Sequence, residues 1–275
     1  MRELGIELMT VFGMPPVEHV TLAADLGCTH ISTGLTALPW KLDRFPSWSL
    51  RDDAALRRET IAAMRDRGVT ISLAEGFAVR PNQDAKDRAA ELDLFAELGA
   101  EQASGICVEP DLARAFDQFS LLADMTAERG MGYALEFAPP HAINTLETTA
   151  AFVESLGKPN MRLVIDAMHF FRTGATIEAL AAIDPARIGY FQLCDVPLVS
   201  TYPDYYSEAC FERLIPGDGE LPLAQLIAAL PQDLPIGLET PMRTACEDGA
   251  RLNELVARTV AAARALLGET TAQPA

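Results

Sequence analysis

Four short apolar segments of this chain each end in one oxygen-bearing side chain. The segments are Tyr133–Glu136, Leu163–Asp166, Gly189–Gln192 and Ile236–Glu239. The four polar residues are 30, 26 and 47 positions apart, which suits strand-plus-helix units with one longer excursion. Oxygen ligands at the carboxyl ends of successive strands of a parallel barrel converge near its axis, where a divalent cation could bind.

Short apolar runs alternate with amphipathic stretches along the whole chain. The predicted strands are Gly5–Phe12, His30–Gly34, Thr70–Ala74, Ser104–Val108, Gly132–Phe137, Arg162–Asp166, Ile188–Cys194 and Ile236–Thr240. The predicted helices are Pro16–Leu26, Asp53–Arg67, Asp84–Leu98, Leu112–Arg129, Leu146–Leu156, Ile177–Ile183, Leu221–Leu230 and Glu247–Leu267.

Strict alternation of strands and helices indicates a parallel sheet, because each crossover carries a helix. Eight such units favour an α/β fold that is a single (β/α)8 TIM barrel, which typically needs about 250 residues. An open doubly wound sheet would need a glycine-rich phosphate loop after the first strand, and residues 12–16 do not form one. We therefore predict one domain over residues 1–269 and a short flexible tail at residues 270–275.

The composition narrows the choice of partners. The net charge of −17 argues against DNA, RNA or an anionic membrane, because binding to phosphates relies on clustered Lys and Arg. No apolar run approaches the roughly 18 residues of a membrane span. The five scattered cysteines and the absence of a signal-peptide pattern favour a cytoplasmic protein with reduced thiols.

Further polar residues follow the predicted strands and therefore belong to the same face of the barrel. His169 comes three positions after Asp166, and we expect it to bind substrate or handle a proton rather than ligate the metal. Arg213 lies on a long loop, where it could orient an anionic or hydroxylated substrate. His141, Glu75, Glu109 and Glu7 are further candidates, whereas His19 is expected at the surface and His30 at the opposite end of the barrel.

Two predicted loops are longer than usual, which is typical of lids or partner surfaces. Thr36–Arg51 carries Trp40, Phe45 and Trp48, and Val196–Gly219 carries Tyr202, Tyr205, Tyr206 and Phe211. Both follow strands and lie on the face of the candidate ligands. Their aromatic side chains could wall a pocket or bury the contact of a homodimer.

The chain resembles the xylose isomerase-like TIM barrels, in particular the sugar phosphate isomerase/epimerase group that also contains endonuclease IV. The resemblance covers nearly the whole chain. It rests on Leu135–Phe137, Asp166–His169, Gln192–Asp195, Arg213 with Pro216–Gly219, and Leu238–Glu239. The resemblance implies that Glu136, Asp166, Gln192 and Glu239 are metal ligands and that His169 and Arg213 contact substrate. Additional histidine ligands of the endonuclease IV type are missing.

The resemblance also implies a reaction. Either Glu136 or Glu239 would remove a proton beside a carbonyl to give an enediolate, with the metal as Lewis acid. One divalent ion is expected, with Mn²⁺ or Mg²⁺ favoured over Zn²⁺ or Co²⁺ because Gln192 makes the ligand set all oxygen. The substrate would be a small carbohydrate-like molecule, a keto sugar or related polyol ketone, which places the chain in carbohydrate metabolism.

Two other functions remain open at this point. A dehydratase of a cyclic hydroxy-ketone, of the inosose or dehydroshikimate type, could use the same site with His169 as an acid. In some dehydratases a His lies two residues after the first Glu, where this chain has Ala138. A binding protein without catalytic activity is the alternative from another class, and the intact set of four ligands argues against it.

Overall fold

The computed structural model of the protein describes residues 2–247 and 251–269. Eight parallel strands close into a barrel in chain order, which confirms the predicted (β/α)8 fold. The strands are β1 Leu4–Ile6, β2 His30–Thr33, β3 Thr70–Ala74, β4 Gln102–Ile106, β5 Gly132–Glu136, β6 Met161–Asp166, β7 Ile188–Leu193 and β8 Ile236–Leu238. The predicted tail at residues 270–275 lies outside the described residues.

Helices surround the barrel. They are α1 Pro16–Asp25, α2 Ala54–Arg67, α3 Ala89–Glu97, α4 Leu112–Ala127, α5 Leu146–Leu156, α6 Ala167–Arg172, α7 Ile177–Ala181, α8 Tyr205–Phe211, α9 Leu223–Ala229, α10 Arg243–Glu247 and α11 Leu252–Leu266. Several begin at a side-chain cap: the Asp53 carboxylate accepts from the Ala55 amide at 2.9 Å at the start of α2. Within residues 2–247 and 251–269, no helix has the length and apolar character that crossing a membrane requires.

The predicted elements differ from the observed ones mainly at their ends. β1 stops at Ile6, although the apolar run continues to Phe12. Residues 8–13 form a turn instead, with Phe12 and Gly13 in the left-handed region at φ 47° and 77°. The apolar side chains of Leu8, Val11 and Phe12 are buried in that turn. Hydrophobicity alone does not distinguish a buried turn from a strand.

The last predicted helix, Glu247–Leu267, corresponds to α11, and only its first residue belongs to α10, which was not predicted. Residues 248–250, which fall within the prediction, lie outside the described residues. The short helices α6 and α8 were not predicted at all. α6 follows β6 directly and carries His169, and α8 lies within the long loop after β7. Helices of 6 and 7 residues are too short to show a clear amphipathic period.

The two histidines that were not assigned to the site are both buried. His30 starts β2 at the amino end of the barrel, as predicted, and packs edge-on against the Tyr190 ring with centroids 6.0 Å apart. A methyl group at Gly5 would overlap the His30 ring, so this end of the barrel is closely packed. The prediction that His19 is at the surface was wrong, because α1 turns it toward β1 and leaves it 1% exposed.

Candidate active site

The four predicted oxygen ligands all lie at the carboxyl end of the barrel. Glu136 and Asp166 are the last residues of β5 and β6, and Glu239 directly follows β8. Asp166 and Gln192 are register partners on β6 and β7. Because the strands are parallel, their carboxyl ends bring these side chains to one end of the barrel, as the sequence predicted.

Arg213 joins two of these residues. Its Nη1 lies 2.5 Å from Asp166 Oδ2 and 2.9 Å from Glu239 Oε2, and the guanidinium is 3% exposed. Its Nε donates to the carbonyl of Ala209 in α8 at 2.8 Å, so the loop after β7 delivers the cation. Arg213 was expected to reach the site from a mobile lid. It is instead buried beside Asp166 and Glu239 at the carboxyl end of the barrel, which we call the floor of the site.

Burial and neighbouring charges shift the pKa values of Arg213, Asp166 and Glu239. Burial opposes the charge of Arg213, but the attraction of Asp166 and Glu239 raises its pKa well above the ordinary value. Burial would raise the pKa of Asp166, yet Arg213 and His169 together lower it. Glu239 shares the same arginine, but burial and the neighbouring carboxylates prevail and raise its pKa. We attribute the opposite pKa shifts of Asp166 and Glu239 to the additional hydrogen bond that Asp166 accepts from the backbone amide of His169 at 2.8 Å.

His169 lies between Glu136 and Tyr205. Its Nε2 is 3.2 Å from Glu136 Oε1, and its Nδ1 is hydrogen-bonded to the Tyr205 hydroxyl. Burial raises the pKa of Tyr205, so the phenol keeps its proton and can donate it to Nδ1. That bond leaves the imidazole proton on Nε2, from which it can be donated to Glu136.

A second group of carboxylates includes Glu239 and the two residues that directly follow β1 and β3. Ligand atoms of Glu7, Glu75 and Glu239 are all within 4.8 Å of one another. Tyr190 donates to Glu7 at 2.7 Å, and Ser32 donates to Glu75. Burial, together with the charge of Glu7, raises the pKa of Glu75 to about 8, and burial also raises that of Glu7. Burial in the absence of a cation therefore favours the protonated form of these carboxyl groups.

The site residues fit a divalent cation. Glu136, Asp166 and His169 offer ligand atoms within 4.8 Å of one another. The Gln192 amide donates to Glu239 at 3.2 Å, whereas its buried carbonyl oxygen has no hydrogen-bond partner among the residues that the structure describes. A buried amide oxygen beside several carboxylates is an arrangement that a hard cation would complete.

An open cavity of about 570 Å³ reaches this floor. The side chains that line it include those of Glu75, Glu136, His169, Arg213 and Glu239. Asp166 and Gln192 lie just behind them, at 0% and 4% exposure. The floor therefore presents carboxylates, an imidazole and a guanidinium to any small molecule in the cavity.

The two long loops supply the aromatic walls, in part as predicted. Trp40, Tyr205 and Tyr206 line the cavity. Trp48 instead packs in the core, where its indole donates to the carbonyl of Gly13 at 2.9 Å. Phe45 is buried as well, so half of the first loop is structural.

Of the remaining candidate site residues, some line the cavity and one is structural. Glu75 and His141 line the cavity, and His141 lies near the Tyr206 ring at 6.5 Å between centroids. Glu109 is 4% exposed and paired with Arg114, so it holds a loop rather than the cavity floor.

Three arginines of the cavity wall were not predicted from the sequence. Arg51, Arg80 and Arg88 all line it, from the loop before α2 and the segment between β3 and α3. None of them follows a strand directly, so the rule that found the other residues could not find them.

Comparison with known proteins agrees with this geometry. A profile described as "Xylose isomerase-like TIM barrel" matches residues 20–265. The chain belongs to this family, as its resemblance indicated.

Curated relatives match over shorter stretches. Inosose isomerase of Bacillus velezensis is 30% identical over 112 residues, which are 40% of this chain and 38% of that protein. The 3-dehydroshikimate dehydratase of Pseudomonas putida is 25% identical over 183 residues, 60% of this chain and 28% of that protein. The match thus spans well under half the length of either relative.

The fold is shared over the whole chain with solved structures. The IolI protein with a bound zinc atom superposes with a TM-score of 0.79 at 17% identity, covering 98% of this chain and 100% of that one. At this identity the likeness shows a common fold.

Proposed function

We propose that the protein is a divalent-metal-dependent isomerase or epimerase that acts on a keto sugar or a related polyol ketone. The observation that carries the proposal is the floor of the cavity, where Glu136 and Glu239 line the same space and Arg213 is paired with Glu239. Isomerases and epimerases need two groups that can remove a proton beside a carbonyl and return it elsewhere.

The proposed metal ligands are Glu136, Asp166, Gln192 and Glu239, with His169 directly beside them. When bound, a divalent cation would act as a Lewis acid that favours negative charge on the carbonyl oxygen of the substrate. The unpartnered oxygen of Gln192 and the group formed by Glu136, Asp166 and His169 support this site. Mn²⁺ or Mg²⁺ would suit the oxygen-rich set better than Zn²⁺.

The chain's own residues would bind and deprotonate the substrate. Glu136 or Glu239 removes the proton, because both carboxylates line the cavity. His169, oriented by Tyr205, donates a hydrogen bond toward Glu136 or toward a substrate oxygen. The buried guanidinium of Arg213 fixes Glu239 and supplies positive charge beside the developing oxyanion.

Hydrogen exchange with solvent tests the proton transfer directly. Keto sugars and inososes would be incubated with the protein and Mn²⁺ in D₂O, and deuterium beside the carbonyl would be followed by NMR. We expect incorporation, and a loss of about 10²- to 10⁴-fold in Glu136→Gln and in Glu239→Gln. The variant Glu178→Gln, at an exposed position of α7, serves as the control. Exchange that survives in both active-site variants would contradict the proposal.

A dehydratase acting on a cyclic hydroxy-ketone is the second candidate. The bond from Tyr205 to His169 favours it, because an imidazole held in this way could protonate a departing hydroxyl group. The similarity to a 3-dehydroshikimate dehydratase points the same way. Loss of water from inosose or 3-dehydroshikimate, followed by mass spectrometry, separates this reaction from isomerisation, which conserves mass. A homodimer and a cytoplasmic location remain predictions.

A further inference from the structure

The charges around the cavity fall into two zones. The floor is acidic, with Glu75, Glu136 and Glu239, and its arginine is taken up by Asp166 and Glu239. The wall carries the three arginines at positions 51, 80 and 88 and a single carboxylate, Glu91. A chain with a net charge of −17 thus concentrates positive charge beside the cavity.

Two of the three wall arginines share one carboxylate. Arg51 Nη2 lies 2.5 Å from Glu91 Oε1, and Arg88 Nε lies 2.5 Å from Glu91 Oε2. Arg88 also donates to the carbonyl of Gly76 at 3.0 Å and stacks on the Phe77 ring at 4.8 Å. Within residues 2–247 and 251–269, the side chain of Arg80 has neither a hydrogen bond nor an ion pair.

The backbone that carries Arg80 is firmly held. Arg114 Nη1 donates to the carbonyl of Arg80 at 3.1 Å, and its Nη2 donates to that of Gln83. Arg114 is itself fixed by the buried carboxylate of Glu109.

The preceding residues are bonded to the neighbouring strands. The Val79 amide donates to the carbonyl of Ile106 at 3.0 Å, and Tyr133 donates to that of Phe77 at 2.7 Å. Because this backbone is already held, a ligand that pairs with the exposed Arg80 side chain need not also order the segment that carries it.

We propose that Arg80 binds an anionic group of the substrate, a carboxylate or a phosphate, at the end away from the reacting carbonyl. The planar guanidinium fork pairs with two oxygens of either group. The paired Arg51 and Arg88 add positive potential but have their hydrogen bonds engaged. The assignment relies on the proposed function only for the statement that the carbonyl end reaches the acidic floor.

Two pairs of compounds that differ in charge test the assignment by binding alone. The first pair is D-psicose 6-phosphate and D-psicose, and the second is 3-dehydroshikimate and inosose. Titration calorimetry with Mn²⁺ present would compare the wild type with Arg80→Met. Arg58→Met is the matched control, since Arg58 is an exposed arginine on α2 outside the cavity wall.

We expect at least one anionic compound to bind about 10- to 100-fold more tightly than its neutral counterpart, as charge-assisted hydrogen bonds allow. Arg80→Met should remove most of that preference and leave the neutral compounds within about twofold, while Arg58→Met changes neither. The pair that responds shows whether the anion is a phosphate or a carboxylate.

The assignment is wrong if neither anion binds more tightly than its neutral partner, or if Arg80→Met weakens all four compounds alike. The D₂O exchange experiment is read separately. An anion preference without any exchange would refute the proposed reaction and leave the role of Arg80 standing.

Discussion

The two ends of the barrel stabilise buried polar groups in opposite ways. At the carboxyl end, the Arg213 guanidinium lies between the Asp166 and Glu239 carboxyl groups, at 2.5 and 2.9 Å. At the amino end, burial lowers the pKa of His30 to about 4, so that the imidazole is neutral. Its Nε2 has no hydrogen-bond partner in the described part of the chain. Charge is thus retained where substrate can reach it and removed where the barrel is only packed.

Removal of the arginine from the carboxyl end should have the largest effect. Arg213→Met leaves Asp166 and Glu239 buried without their cation, and we expect it to lower the free energy of unfolding by about 3–5 kcal/mol. Urea denaturation at neutral pH measures this, with Arg58→Met as a surface control. A loss below about 1 kcal/mol would show that the carboxylates are neutralised by other means and would break the contrast.

Acidification should act on the neutral histidines. His30 and His19 both have a pKa lowered to about 4 by burial, against about 6.5 in the unfolded chain. The unfolded state therefore takes up protons first as the pH falls. The contribution of each neutral histidine to the free energy of unfolding is fully present above pH 6.5. It is lost as the pH falls toward 4, by about 3 kcal/mol for each histidine.

Urea denaturation between pH 7 and 4.5 measures that loss, and the His30→Gln variant should show a shallower decline than the wild type. A His30→Gln variant that loses stability between pH 6.5 and 5 as steeply as the wild type would mean that the His30 imidazole is not kept neutral by burial. The two ends of the barrel would then differ less than their contacts indicate.

Packing at the amino end can be tested without altering charge. Gly5→Ala places a methyl group in the space of the His30 ring, and we expect a loss of about 1–3 kcal/mol of stability from overpacking. Turnover at the opposite end should stay within about twofold once the variant is folded. A variant as stable as the wild type would show that the ring can move aside, and a selective loss of turnover would show that the two ends are coupled.

The smallest expected effect concerns the orientation of His169. Tyr205→Phe removes the hydroxyl bonded to Nδ1, and we expect turnover to fall about 3- to 10-fold with little change in KM. Tyr202→Phe, at an exposed position of the same loop, is the control. Unchanged turnover would show that His169 is held adequately by its position on α6 and its contact with Glu136.

The sequence was sufficient for the fold and for residues that directly follow a strand. Glu136, Asp166, Gln192 and Glu239 were located because the period of a strand and its carboxyl end are local properties of the chain. The same reasoning placed Glu75 and His141 at the cavity.

Contacts between segments that are far apart in the chain could not be predicted from the sequence. Arg213 bonds Asp166 across 47 positions, and nothing local distinguishes a buried bridging arginine from one on a mobile lid. His19 was assigned to the surface because a single polar residue on a helix usually faces water. Arg80 was missed because its significance lies in the lack of a partner, which only the packed neighbours reveal.

Metal content is the most direct test of the central claim. The purified wild type would be titrated with Mn²⁺ and analysed by mass spectrometry of the metal, beside Glu239→Gln and the exposed control Glu178→Gln. We expect about one ion per chain in the wild type and the control, with binding at least about tenfold weaker in Glu239→Gln because a buried anionic ligand is lost. A wild-type protein that binds no Mn²⁺ or Mg²⁺ even in excess would contradict the proposed function. The hypothesis of a binding protein without catalytic activity would then replace it.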